Sequence, residues 1–379
     1  MTKRIKIIHF MHHPVSAKRF VEPLVISMIE SGYDVELCIT DYADLKNFIS
    51  SFKVPCALYE FNMVLNLSKI IKSTYRLFFY VRKKNPILIQ AHQTRAAFIP
   101  LLISWLNQVP VRIYHNHGVP YIGYRGYKGY ELRLLEGLNC YLATHIVTVS
   151  QGMVNPLKLV ASHLKSVDVL GPGSACGLAE YDFNYLDPHE KSLAKEKYGF
   201  DGKCLIFLYV GRPEKRKGFN ILIRAFNEIF SGRADVCLLL AGCTSDDIKS
   251  TGHENHKNIH ALGTLMDLNP IYDIADIVVL PSFHEGFGYA LLEGAAHGCA
   301  LITSDIPGPD CLVFENINGA LVRPNALIDL ENKLNHFYCN KVELMIMGKN
   351  SYQISLGYER SIILGYYKNY ITNILNELN

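Results

Sequence analysis

The 379-residue sequence has no Cys-x-x-Cys pair among its ten cysteines, no Asp-x-Asp and no low-complexity tract. Each absence removes a class of function. Without paired cysteines the chain offers no zinc-ribbon or dithiol chemistry, and scattered thiols read as buried, reduced residues of a cytoplasmic protein. Without Asp-x-Asp there is no tight carboxylate pair to hold a divalent cation against a diphosphate, so no metal and no cofactor are expected. No uninterrupted apolar run approaches the about 20 residues that span a bilayer. The opening strand RIKIIHF (4–10) is too short and polar for a signal-peptide core. Neither a helix-turn-helix nor an aromatic single-strand platform is evident, so nucleic acid is not an expected partner. The loop after the first strand, FMHHPVSAKRF (Phe10–Phe20), contains no glycine.

What is present is an ordinary globular composition, 49% hydrophobic and 19% charged, with an uneven charge. Residues 1–169 carry 20 Lys+Arg against 10 Asp+Glu, and the remainder carries 18 against 25. The basic half predicts an anionic partner. Its most cationic stretch, KIIKSTYRLFFYVRKK (69–84), interleaves aromatics with cations on a helical period. It reads as a core helix with a solvated basic face or as a dock for an anionic membrane surface; with the charge of the whole half, the membrane reading is favoured.

Short apolar runs alternate with helical segments along the chain. Strands are expected at RIKIIHF, YDVELCIT, PILIQAH, VRIYHNHG and HIVTVS. Helices are expected at EPLVISMIESG, in the basic stretch, at AAFIPLLISWLN and at ELRLLEGLNCYLAT. A Gly-, Pro- and acid-rich stretch, VDVLGPGSACGLAEYDFNYLDPHEK (167–191), reads as a linker. Alternation then restarts with CLIFLYVG, DVCLLLAG, IHALG, DIVVLPS and ALITS as strands, and YERSIILGYYKNYITNIL (358–375) as a closing helix. Strands apolar on both faces, separated by helices, imply two parallel α/β sheets. The expected division is 1–169, 170–355 and a last segment, 356–379, packing back on the first domain.

In such sheets ligands bind outside the carboxyl ends of the strands. Arg212 and Lys217 follow one strand and precede a helix, where positive side chains and helix N–H groups suit a diphosphate; alone, the loop reads equally as solvated basic surface. After DIVVLPS comes HEGFGYALLEGAAHG (284–298). Gly286 and Gly288 allow close backbone approach. Glu285 and Glu293 are carboxylates able to accept paired hydroxyls of a sugar. Glu293 is expected about two turns into the following helix.

Together, GRPEKRKGFNILIRAF, ADIVVLPSFHEGFGYALLEGAAHGCALITSD and NGALV, in that order and spacing, closely resemble the retaining glycosyltransferases of family 4. Their architecture is GT-B: two doubly wound, Rossmann-like domains facing across a cleft. The linker's VLGPGSACGLAEYDF and the first half's HNHG and HIVTVS are similar to the family's layout, more weakly. The resemblance implies transfer of a sugar from a nucleotide-diphosphate donor, UDP- or GDP-linked, to a glycan acceptor. With the basic half, it suggests a polyprenyl-diphosphate-linked acceptor and the assembly of O-antigen, capsule or exopolysaccharide on the inner membrane face. It implies that Arg212 and Lys217 hold the diphosphate and that Glu285 contacts sugar hydroxyls. Gly286, Phe287 and Gly288 would lie under sugar and phosphate, and Glu293 would bind the ribose. Leu262 and Gly263 would border the base, and His117 would sit beside the anomeric centre. The glycine-free first loop departs from the family's Gly-Gly pair, and Asp310 stands where many members carry Glu or Arg; neither receives a role. His9, His12 and His13 read as loop polar residues rather than a metal site, and His92 as an acceptor-side group or a strand-end cap. A sugar-nucleotide epimerase, a phosphorylase or a non-enzymatic nucleotide-binding protein are the competing readings, and each lacks its own signature here.

Overall fold

The computed structural model describes residues 4–40, 50–59, 67–161, 165–252 and 257–378. The HENH tetrapeptide at 253–256, which does not match a His-Glu-x-x-His motif, lies outside them. The chain forms two compact units, Met1–Gly177 with Arg360–Asn379, and Leu178–Glu359.

The first unit is a seven-stranded parallel sheet in the order β3-β2-β1-β4-β5-β6-β7. Its strands are β1 Lys6–Met11, β2 Asp34–Thr40, β3 Cys56–Tyr59, β4 Leu88–His92, β5 Val111–Asn116, β6 His145–Thr148 and β7 Val167–Val169. Side chains two apart share a face, so Ile7 and Ile8 join different cores. Ile7 packs with Leu24, Leu88, Ile113 and Val147, and Ile8 with Ile89, Leu101, Tyr114 and Ile146. The closing helix Arg360–Asn376 belongs to this unit; Tyr367 and Ile371 bury into the Ile7 core beside the helix Glu22–Glu30.

Two expectations are corrected here. The histidine-bearing stretch after β1 is not a loop throughout: it turns helical at Pro14 and continues through a wide turn, Ala17–Val21, into Glu22–Glu30. Pro14 suits a first helical position because it has no N–H to lose. Ala17 N–H donates to His13 O at 2.8 Å, and buried Ala17 and Val21 anchor the turn. The supposed linker begins with β7, because Val167–Val169 extends the sheet beside β6.

The second unit is a six-stranded parallel sheet, β10-β9-β8-β11-β12-β13. The strands are β8 Leu205–Val210, β9 Val236–Ala241, β10 Ile259–Gly263, β11 Ile277–Leu280, β12 Ala300–Ser304 and β13 Gly319–Val322. The helix Phe219–Phe230 buries Phe219, Leu222, Ile223, Phe226 and Phe230, one stripe at helical spacing, with Phe226 against Phe207 of β8. The far end of the supposed linker opens another helix, Pro188–Lys197. Asp187 caps it by accepting from the N–H groups of His189 and Glu190, while Glu190 returns a bond to Asp187 N–H.

Candidate active site

In the second unit, the chain builds β8, β9 and β10 outward in one direction and then returns to place β11 on the other side of β8. The strand order therefore reverses between β8 and β11. The loops leaving their carboxyl ends diverge there and open the crevice where ligands of such sheets bind. The β8 loop carries Arg212 to Lys217, and the β11 loop carries His284 to Gly288.

These loops are tied together. Phe283 N–H donates to Arg216 O at 2.8 Å, and the Arg216 guanidinium donates to His284 O at 3.4 Å. Lys217 Nζ donates to Glu285 Oε2. Gly218 sits at φ +73°, where a β-carbon would collide with the carbonyl of Pro281, so the β8 loop reaches the β11 loop at close range only because this residue is glycine. From the next strand, Gly308 at φ +115° presses its bare face on the carbonyls of Glu285 and Gly286. Asp310 accepts from Gly308 N–H at 3.1 Å, and burial pushes its carboxyl above the usual range.

Arg212 lies at the rim. Its guanidinium is exposed and pairs with Glu214 at 2.9 Å, while Arg216 pairs with the other oxygen of Glu214 at 3.0 Å. Gly286, Phe287 and Gly288 are buried. Gly288, at φ +91°, cannot be the first helical residue, so the helix runs Tyr289–Ala296 and Glu293 falls little more than one turn into it, not about two. Tyr272, buried at the end of the helix Asn269–Ile274, donates its hydroxyl to Glu293 Oε2 at 2.8 Å. On its other side Tyr272 stacks on His297, which bonds Asp273 at 2.7 Å. Leu262 and Gly263 end β10. Gly263 exchanges backbone bonds with the β9 loop, donating to Cys243 O at 2.8 Å and accepting from Gly242 at 2.7 Å. Gly242 in turn packs on Gly211 at the end of β8.

The structure thus joins Lys217 directly to Glu285. Arg212 follows β8, Leu262 and Gly263 end β10, and Glu293 lies in the helix Tyr289–Ala296; Arg212, Gly263 and Glu293 are engaged by other partners, Glu214, the β9 loop and Tyr272. Glu214, Arg216 and Tyr272 were missed in the sequence. The first two lie inside GRPEKRKGFNILIRAF, but a Glu among cations gives no sign of which one it holds.

His117 belongs to the first unit, two residues beyond His115 at the end of β5. It is half-buried, and burial lowers its imidazole to about 4. Its loop is fixed from beneath. Asn116 accepts from Gly118 N–H at 2.9 Å, and the Asn116 amide donates to Glu136 at 2.6 Å. Tyr114 OH also donates to Glu136, at 2.6 Å, and burial raises that carboxyl to about 7.

Residues 190–354 match the model of the family described as glycosyl transferases group 1. The chain is 25% identical over 326 residues to the capsular polysaccharide biosynthesis glycosyltransferase CapM of Staphylococcus aureus, covering 82% of each. It is 24% identical over 330 residues to an Escherichia coli UDP-Gal:α-D-GlcNAc-diphosphoundecaprenol α-1,3-galactosyltransferase, covering 82% of this chain and 80% of the relative. Among solved structures, Anabaena HepE in complex with UDP and glucose superimposes with a TM-score of 0.78 at 16% identity, over 98% of this chain and all of that one. Residues 190–354 carry a glycosyl transferases group 1 domain, and the chain has the GT-B fold and resembles the glycosyltransferases of capsule and O-antigen assembly.

Proposed function

We propose that the chain transfers a sugar from a nucleotide-diphosphate donor to a lipid-linked glycan in cell-surface polysaccharide assembly, with retention of anomeric configuration. The observation that carries this reading is the Lys217–Glu285 pair at the strand-order reversal of the second sheet. It sets a cation for a diphosphate next to a carboxylate for sugar hydroxyls. Arg212 supplies a second positive group at the rim, and Glu293, held by Tyr272, takes the ribose hydroxyls. Leu262 and Gly263 border the base, and the backbone of Gly286, Phe287 and Gly288 underlies the sugar and phosphates. His117 takes the sugar-contacting place of the family's matching histidine.

The leaving group is a nucleoside diphosphate, and Lys217, Arg212 and the amino end of helix Phe219–Phe230 stabilise the charge that grows on it. This arrangement needs no metal at the diphosphate. The engagement of Glu285 with Lys217 favours front-face attack over a covalent glycosyl–Glu285 intermediate. The bond from the anomeric carbon to the diphosphate oxygen breaks, and the acceptor oxygen bonds to the same face. The acceptor proton passes to the departing diphosphate. The acceptor class follows the relatives, one of which acts on a diphosphoundecaprenol-linked sugar. Among the described residues no helix is long and apolar enough to cross a membrane. Reaching such an acceptor then falls to the first unit, where the helix Leu67–Lys84 exposes Ile71, Tyr75 and Phe79 among its cations.

Thermal melting with UDP, GDP, ADP and dTDP, without added metal, tests the donor site. A ligand that binds only the folded state raises the melting temperature. One diphosphate is expected to do so, and Arg212→Ala to reduce the rise. No shift with any of the four in folded protein would sink the reading.

A further inference from the structure

The second unit holds a cavity of about 420 Å³ that the donor site does not use. It lies at the other end of the sheet. Its floor is Cys204 and Leu205, where β8 begins, and Asp276, the residue before β11. The donor-site loops leave the carboxyl ends of the same two strands, about 20 Å away along the six residues of β8. The helices Pro188–Lys197 and Lys341–Ser355 supply its sides.

Tyr185 forms one wall and is held in place. Gly298, at φ +69°, has no β-carbon to strike the Tyr185 ring, and the ring packs on Tyr352 with centroids 5.1 Å apart. Leu205 and Leu344 are buried and give the interior an apolar surface, while Met345 stands exposed at the rim. The volume is that of a small-molecule pocket, where apolar walls meet a few placed polar groups.

The polar groups here are mostly cations. Four lysines line the cavity and, among the described residues, one acid, Asp276. Lys195 is only 5% exposed, and its ammonium donates to Asp276 Oδ2 at 2.7 Å and to Cys204 O at 2.8 Å. That pair cancels. Among the described residues the other three lysines meet no carboxylate. Lys191 donates to Ala275 O at 2.7 Å, and Lys341 to Lys203 O at 3.5 Å. The last contact makes Lys203 and Lys341 neighbours at the exposed rim, although 138 positions separate them in the chain. An apolar interior edged by unmatched positive charge is complementary to a molecule with an apolar body and an anionic head. A bare anion would leave the apolar walls unused. A neutral apolar molecule would cover ammonium groups without pairing them.

We propose that this cavity binds a small amphiphilic anion, a short apolar chain or ring carrying a phosphate or carboxylate. Its body lies against Leu205 and Leu344 and its head between Lys203 and Lys341. The site is separate from the donor site, and its test reads binding whether or not the chain transfers sugar.

Calorimetric titration of the full-length chain with decyl phosphate and with decanoate, each below the concentration at which it aggregates, tests the site and separates the two head groups. One equivalent of decyl phosphate is expected to bind, and decanoate, with less charge, less tightly. Decanol has the chain without the charge, and inorganic phosphate the charge without the chain; each should bind at least about tenfold more weakly than decyl phosphate. Joint replacement Lys203→Ala and Lys341→Ala should weaken decyl phosphate by about tenfold or more. Both side chains are exposed, so folding is not at stake. Lys197→Ala removes an exposed cation outside the cavity and should leave the affinity unchanged, as should Lys217→Ala in the donor site. Decanol or inorganic phosphate binding as tightly as decyl phosphate, an affinity unmoved by the loss of Lys203 and Lys341, or an affinity lost with Lys217→Ala would overturn the proposal.

Discussion

Lys217 and Glu285, 68 positions apart in the chain, meet as an ion pair where the second sheet reverses its strand order. Their side chains are only 18% and 15% exposed, so neither charge is neutralised mainly by water. The carboxylate thus holds the cation proposed to engage a diphosphate.

Breaking this pair separates binding from transfer. Glu285→Gln releases Lys217, so UDP affinity is expected to hold or rise, while turnover falls by about a hundredfold or more through lost sugar contacts. Lys217→Ala is expected to weaken UDP by about 1.5–3 kcal/mol, the scale of a charged hydrogen bond. Calorimetric affinities beside initial rates decide it: weaker UDP binding by Glu285→Gln would show that the carboxylate serves the diphosphate site rather than the sugar.

Tyr272 and Glu293 form a second unit of the site. The phenol donates to the carboxylate at 2.8 Å from a buried position, so it sets which way Glu293 faces. Tyr272→Phe should weaken nucleotide binding by about 1 kcal/mol, less than Glu293→Ala. The double variant should resemble Glu293→Ala alone, because residues that share one hydrogen bond are not additive. Strictly additive losses would mean that Tyr272 acts elsewhere.

Glu136 makes the first unit's stability depend on pH. Burial raises its carboxyl from the ordinary value of 4.5 to about 7 in the folded protein. Between those values the folded state holds a proton that the unfolded chain releases, so stability is full below about 4.5 and declines as pH rises towards 7. The drop is roughly 3 kcal/mol by linkage. Glu136→Gln keeps an oxygen to accept from Tyr114 and Asn116 while removing the titration. Denaturant unfolding at several pH values should show the slope in the parent chain and a flatter profile in Glu136→Gln; equal slopes would assign the pH dependence to another group.

The alternation of strands and helices was legible because each strand is a short run of apolar, often β-branched residues and each helix carries an apolar stripe. Val167–Val169 escaped because three residues, one of them charged, make too short a pattern to separate from the loop that follows. The capping pair Asp187 and Glu190 stands at the end of that stretch, where the surrounding glycines, prolines and acidic residues mask its Asp-x-x-Glu spacing. Glu293 was placed a turn too deep because nothing in GFGY marks which residue is helical. The backbone of Gly288 decides that, and glycine takes either sign of φ.

Local apolar periodicity and short motifs encode the two parallel α/β sheets, the residue types at their strand ends and the family they resemble. Which of those residues meet is set by the folded chain. Lys217 finds Glu285 because β11 crosses to the far side of β8. His92 finds His115 because β4 and β5 pair in one register, and Tyr367 reaches Gln90 because the last helix returns to the first unit. Such contacts depend on strand order, register and crossover, which no local stretch of sequence carries.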